Sequence, residues 1–404
     1  MGRRRRHRRH HRRDGTDLLE AEPLLDDSHL MTVRDPLPAA YIAVCRRDWY
    51  SHSYYRLYKV EDDSSSSSSP SSPVTKQVLH RFAHLPTDVA CKTVVSVRSR
   101  WIVSVGGNPG GTVLFDTETR RVITGPKLLS AKLSPVAAAV GDRIYVLSSR
   151  PQYLEDPDFE PLLEVLDLSR ATVVATADGR HTLDGCSSEA LPDPICFPCM
   201  LSPAGYLAPP LILVTSYVLF LPYLLVSVNN MGKMTTYAFD TGTHRWHKLY
   251  DYGLPFFGSA TPLVGHTGIF LGRCWESGPI NAYRIRLVSS APHLKLSVTE
   301  FPVKTEAREE VGVGEALCLA SMEDEGSFSC ITFRLDDREH HMSYDKDIHE
   351  FYPRKMYLNL TTYKIVEGEK TDMDIVVRCK RDKALKIFSS HGFSSPPIAF
   401  ALSI

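Results

Sequence analysis

Beyond residue 40 the chain alternates short apolar runs with polar turns and holds almost no sustained helical period. "WIVSVGG" from Trp101 precedes "TVLFDTETRRV", "RIYVLSS" from Arg143 precedes "LLEVLDLSRATV", and "YLLVSVNN" from Tyr223 precedes "TYAFDTGTHRW". Each pair predicts a strand, a polar connection, a second strand ending at Asp and a tight turn, the Asp side chain bonding nearby backbone amides. Six residues after Asp116, Asp167 and Asp240 stand Val122, Val173 and Trp246, so each copy returns an apolar residue at one offset. Three further pairs end near Val60, Ile285 and Leu335.

Asp116 and Asp167 lie 51 residues apart. A period near 50 residues with about four short strands per unit predicts an all-β fold of the propeller kind, since one small sheet cannot bury both faces alone and radial stacking does so. Six units are counted, with one long insertion between the third and the fourth. Strands after Asp337 are expected to complete the ring with the N-terminal strands or to supply a seventh blade. The domain division is an arm over 1–35, expected to be disordered because it is charged and nearly free of aromatics, and a propeller over 36–404. The run "SSSSSSPSSP" at 64–73 reads as a flexible loop within it.

The stretch 211–258, with "TYAFDTGTHRWHKLYDYGLPFFGSA", together with "SVGG" and "VLFDTETRRV", resembles an uncharacterised kelch-like family of plants, expanded in grasses, whose members have no assigned function. The resemblance covers roughly residues 40–335 and implies a kelch-like propeller and a plant origin. The chain departs from the kelch pattern in carrying a clear Gly-Gly doublet at Gly106 and Gly107 alone.

Charge changes the picture at one end. Arg3, Arg4, Arg5, Arg6, Arg8, Arg9, Arg12 and Arg13 crowd the first thirteen residues; without them 39 basic residues face 47 acidic ones, a net of minus 8. That arm is expected to contact an import receptor or a nucleic-acid backbone through charge, or to be a solvated tail. The acidic body favours a basic protein partner. Residues 14–27 are acidic where a secretory signal would be apolar, and nine cysteines without regular spacing read as reduced thiols. The expected location is therefore intracellular, in nucleus or cytoplasm. Leu207–Val228 is long enough to span a bilayer, but Pro209, Pro210 and Pro222 interrupt it, and it splits into two runs that suit buried strands, so no membrane partner is expected.

Candidate chemistry is sparse. Cys196 and Cys199 form "CFPC", but a structural zinc needs four ligands, and Cys186 and His181 complete the set only irregularly. "REHHMSYDKDIHE" gathers His340, His341, Asp345, Asp347, His349 and Glu350 without a helical metal motif and reads as a solvated loop. "VGVGEA" from Val311 leads into a strand pattern rather than a phosphate-binding helix. No catalytic, metal or cofactor residue is therefore assigned. The favoured function is a non-catalytic protein-interaction scaffold with an unknown protein partner. The alternatives are an enzyme at the central channel and a nucleic-acid binder acting through the arm. Asp116, Asp167, Asp240 and Trp246 are assigned to blade structure, and Trp275, Tyr250 and Tyr252 are candidate anchors for a partner.

Overall fold

The elements of the computed structural model are strands, from four to fourteen residues long. Its described residues run from 40 to 403, apart from 49–50, 61–79, 87–91, 152–159, 198–206, 208, 276–277, 291–292, 313–316, 323, 337–341, 346–349, 354, 367–373 and 389–398. The chain divides into Met1–Pro36 and Leu37–Ile404. The expectations for the arginine arm, the acidic segment and the serine-rich run thus fall outside the described residues.

Among the described residues, the second unit is built of six small antiparallel blades and one separate hairpin. Blade 1 contains β1 (Ala40–Asp48), β2 (Ser51–Val60) and β3 (His80–Pro86). Blade 2 is β4 (Lys92–Val97), β5 (Trp101–Gly106), β6 (Val113–Asp116) and β7 (Arg121–Thr124). Blade 3 takes β8 (Val136–Val140), β9 (Arg143–Leu147) and β10 (Leu163–Asp167), then interrupts itself with the hairpin β11 (Thr172–Ala175) and β12 (His181–Asp184) before its fourth strand, β13 (Ser187–Ala190). Blade 4 is β14 (Ile212–Phe220), β15 (Tyr223–Asn230), β16 (Lys233–Asp240) and β17 (Arg245–Tyr250). Blade 5 is β18 (Phe256–Pro262), β19 (Ile269–Cys274), β20 (Ile280–Ser290) and β21 (His293–Thr305). Blade 6 opens with β22 (Leu317–Ser321) and β23 (Ser327–Asp336), sets aside the hairpin β24 (Met342–Asp345) and β25 (Glu350–Pro353), and closes with β26 (Lys355–Ile365) and β27 (Ile375–Phe388).

The last strand, β28 (Ala399–Ser403), pairs antiparallel with β1, Ala40 opposite Ser403 and Val44 opposite Ala399. It becomes the first strand of blade 1. Strands β28, β4, β8, β14, β18 and β22 then neighbour one another in a closed cycle. The fold is a six-bladed β-propeller. The strands after Asp337 make no seventh blade, because β26 and β27 are the third and fourth strands of blade 6 once the β24–β25 hairpin is set aside.

The core lies between blades. Ile144, Val146 and Leu166 of blade 3 pack on Trp101, Val103 and Leu114 of blade 2, while Tyr145, Leu147 and Val165 turn the other way onto Leu224, Val226 and Phe239 of blade 4. Successive side chains of a strand alternate faces, so one strand serves both neighbours. Blades 4 and 5 meet at Leu225, Phe256 and Tyr283, and blades 5 and 6 at Leu271, Ala282 and Phe328. Of Leu207–Val228, the part from Ile212 onward forms the hairpin β14–β15, with Pro222 in the turn. Among the described residues no helix is long and apolar enough to cross a membrane.

Candidate interaction face

The ring has two faces. On the lower one lie the turns between first and second strands and between third and fourth strands of each blade. On the upper one lie the second-to-third connections and the crossings from one blade to the next.

The repeated Asp-Thr phrase builds the lower face. Asp116 Oδ1 accepts from the amides of Glu118 at 3.0 Å and Thr119 at 3.2 Å; Asp240 Oδ1 accepts from Gly242 at 2.8 Å and Thr243 at 3.1 Å. The adjacent threonines reach back to the neighbouring turn: Thr117 Oγ1 donates to the Arg100 carbonyl at 2.8 Å, and Thr241 Oγ1 to that of Pro222 at 2.7 Å. The turn closes in both copies with a residue at positive φ, Arg120 at 56° and His244 at 56°. Asp116 is buried and also accepts from Arg100 at 3.0 and 2.5 Å. Burial alone would raise its pKa, but Arg100 and the turn amides hold it below the ordinary carboxylate value. The same opposition of burial and turn amides lowers Asp240. Asp167 accepts from the Ser169 amide at 2.8 Å and from Arg143 at 2.9 Å. Ser169 foremost, and Arg143 after it, bring it down to about 2.

The third copy differs after its aspartate. Val173 does not return into blade 3; it sits exposed on β11, and β13 supplies the fourth strand instead. Trp246 packs half-buried against Phe239, ring centroids 5.0 Å apart, and its Nε1 donates to the Pro192 carbonyl at 3.0 Å.

Between blades 2 and 3, Lys132 and Glu164 form an ion pair with both side chains fully buried. Ser130 Oγ accepts from Lys132 Nζ at 2.6 Å, and the Leu129 amide donates to Glu164 Oε2 at 2.7 Å. Burial pulls the lysine below its ordinary pKa, against the opposing pull of Glu164. The pair ties the crossing from β7 to β8 onto β10. Gly106, at φ 103°, fits beneath that crossing because a Cβ there would stand 2.8 Å from the Lys132 carbonyl oxygen.

The inner strands of the six blades are β4, β8, β14, β18, β22 and β28. Their sequences, "KTVVSV", "VAAAV", "ILVTSYVLF", "FFGSATP", "LCLAS" and "AFALS", contain neither a carboxylate nor an imidazole. Cys196 is a buried free thiol whose pKa burial pushes up to about 12, the inert form of a cysteine. Cys199 lies outside the described residues, as do His340, His341, Asp347 and His349; Asp345 and Glu350 are register partners at the turn end of β24–β25. Among the described residues no group of three or more His, Cys, Asp or Glu could hold a metal.

The upper face over blades 4 and 5 carries a different surface. Met231 caps the β15–β16 turn, Tyr250 and Tyr252 flank the exit from β17, Phe257 starts β18 and Trp275 follows β19, all between 44% and 76% exposed. Tyr250 and Tyr252 lie with centroids 4.9 Å apart, and Phe257 and Trp275 5.6 Å apart. Buried Leu254 and the Trp275 amide, which donates to Pro255 O at 3.4 Å, hold the two pairs to one crossing. Trp275, Tyr250 and Tyr252 could be named from sequence as anchors. Phe257 could not, because in "PFFG" the alternation buries one phenylalanine and exposes the other without saying which.

The chain belongs to the family described as "Protein of unknown function (DUF1668)", which matches residues 37–388. No curated protein matches it. Solved structures similar to it include two with the following coverage. One is a putative 6-phosphogluconolactonase from Bacteroides fragilis, 10% identical with a TM-score of 0.36, covering 95% of this chain and 100% of that one. The other is the Swd1 β-propeller domain from Myceliophteria thermophila, 14% identical with a TM-score of 0.30, covering 72% of this chain and 86% of that one. Likenesses this loose carry no functional argument, and the propeller rests on the strand pairing itself.

Proposed function

We propose that the protein is a non-catalytic interaction scaffold with kelch-like blades, and that its upper face over blades 4 and 5 receives a basic segment of a partner protein. The observation that carries this reading is the aromatic group Tyr250, Tyr252, Phe257 and Trp275, exposed in two ring pairs over the β17–β18 crossing and the start of the β19–β20 connection. Exposed apolar residues scattered singly need no explanation, but a paired aromatic group on one face marks a contact surface. Aromatic faces attract guanidinium and ammonium groups, the charges that a basic segment brings to such a cluster. The kelch-like and plant-family resemblance of 211–258 belongs to this proposal.

The test is affinity purification from expressing tissue with the full chain, comparing wild type, a Tyr252→Ala/Phe257→Ala/Trp275→Ala variant, and a lower-face Leu221→Ala/Val264→Ala control. A basic protein retained by the control and lost from the triple variant supports the scaffold. Partners indifferent to the triple variant would remove the face from consideration.

The arginine arm takes the localising or anion-contacting role in this reading. Deleting residues 1–13 should abolish nuclear accumulation of a fluorescent fusion, and unchanged distribution would leave the arm without that role.

A further inference from the structure

The outer hairpin of blade 5 outruns the strand behind it. β19 reaches only as far as Ile269, opposite Arg284, whereas β20 and β21 stay in register down to Ser290 and His293. Successive residues of that extension face opposite ways. Ile285, Leu287, Leu296 and Val298 turn to one side and join the core that blade 5 shares with blade 4, which fixes the hairpin against the ring.

The other side carries charge. Ile280 and Ala282 on it are buried in the core shared with Phe328 of blade 6. Two residues further on, this side emerges from beneath that core and presents Arg284, Arg286 and Lys295, all exposed. Thr299 stands opposite Arg284, Ser297 opposite Arg286, and Lys295 opposite Val288. The cations therefore follow one another at two-residue steps, about 7 Å each along the strands, with a hydroxyl across from each arginine. Arg284 also lies over the Phe301 ring, 4.9 Å from its centroid. Among the described residues none of the three cations has an ion-pair partner. Glu300, the one carboxylate in the two strands, faces the other side, where its Oε1 accepts from Asn281 Nδ2 at 2.5 Å and from the Tyr283 hydroxyl at 3.3 Å. Like charges lined up on one sheet face cost stability until an anion lies over them.

We infer that this face of the β20–β21 hairpin is a contact site for the phosphates of a single-stranded nucleic acid. Guanidinium forks and hydroxyls donate to phosphate oxygens, and the step between the cations is close to that between neighbouring phosphates of an extended strand. A lone phosphate calls for cations converging on one point, and these run in a line. An extended acidic peptide repeats its carboxylates at the same step, but peptide recognition on a sheet takes its specificity from side-chain pockets. The described side chains of the extension on this face are charges, hydroxyls and Val288. Phe301 is covered by Arg284 and offers no ring for stacking, so the site senses charge and not base. It belongs to blade 5 and does not draw on the arginine arm.

The test is binding of a short fluorescent oligouridine to the full chain, followed by anisotropy across a salt series. Each phosphate contact on a single strand contributes about 0.7 to the slope of log affinity against log salt, so three contribute about 2. Arg284→Gln/Arg286→Gln/Lys295→Gln should flatten the slope by about that much, whatever the arm contributes. Arg121→Gln/Lys127→Gln/Arg245→Gln removes the same charge from exposed positions elsewhere on the ring and should leave the slope nearly unchanged. In wild type, a strand carrying 4-thiouridine should cross-link under ultraviolet light to residues 284–299, located by mass spectrometry. Equal slopes for the two triple variants would overturn the proposal, as would cross-links confined to other segments. A wild type that binds a polyglutamate peptide and not the oligouridine would overturn it in favour of an acidic protein partner.

Discussion

Asp116 and Asp240 show how one residue type at one offset serves a fold. Each neutralises the amides of its own turn, and the threonine beside it fastens that turn to the next hairpin. Asp240→Ala should cost about 1–3 kcal/mol, the loss of charge-assisted bonds to two amides, read as a lower denaturation midpoint in urea. For Asp167, the folded pKa of about 2 lies below the ordinary value of 3.8. The folded state therefore binds fewer protons, and its stabilisation is present above pH ~4 and lost as pH falls toward ~2. Melting temperatures across that window should fall less steeply for Asp167→Asn than for wild type. At the buried pair, Lys132→Met alone should destabilise by about 3–5 kcal/mol, leaving Glu164 without its counter-charge. Lys132→Met/Glu164→Leu should recover part of this, held back by the Leu129 amide losing its acceptor. The aspartates were legible because their bonds are local in sequence. The Lys132–Glu164 pair spans 32 residues and a blade boundary, and no local pattern points to it.

At the scale of elements, the paired runs of blades 2 to 5 were readable because apolar alternation and turn chemistry agree there. Two insertions escaped that reading. Val173 matches the expected offset in sequence, yet β11 belongs to a hairpin that crosses to blade 2, a destination fixed by the long-range contact of Thr182 with Thr124. In blade 6 the pair ending near Leu335 forms the first and second strands, whereas the pairs ending near Val60 and Ile285 form second and third strands, so β26 and β27 are needed to complete the blade. Among the described residues the hairpin β24–β25 pairs with no other strand. Replacing residues 342–353 with a short Gly-Ser linker should therefore leave the melting temperature within a few degrees of wild type. Removing residues 399–404 should instead cost most of the protein's resistance to limited proteolysis, since β1 would lose its partner on the inner side.

For the whole molecule, the all-β class and six-unit ring follow from a pattern of short strands that can bury both faces only by stacking radially. The upper-face cluster was half legible, because exposure depends on which blade crossing lifts a residue clear of its neighbours. The closure of the ring by β28 also has a temporal side. Ala399 is synthesised about 350 residues after Asp48, although the two strands lie side by side. At about 5–20 residues per second, β1 waits on the order of 20–70 s for its inner partner to be made. Blades 2 to 5 can assemble as they emerge, while the first sheet stays incomplete until β28 is made. For that time β1 lacks its inner neighbour, which leaves the first sheet of the newborn protein open to chaperones and proteases.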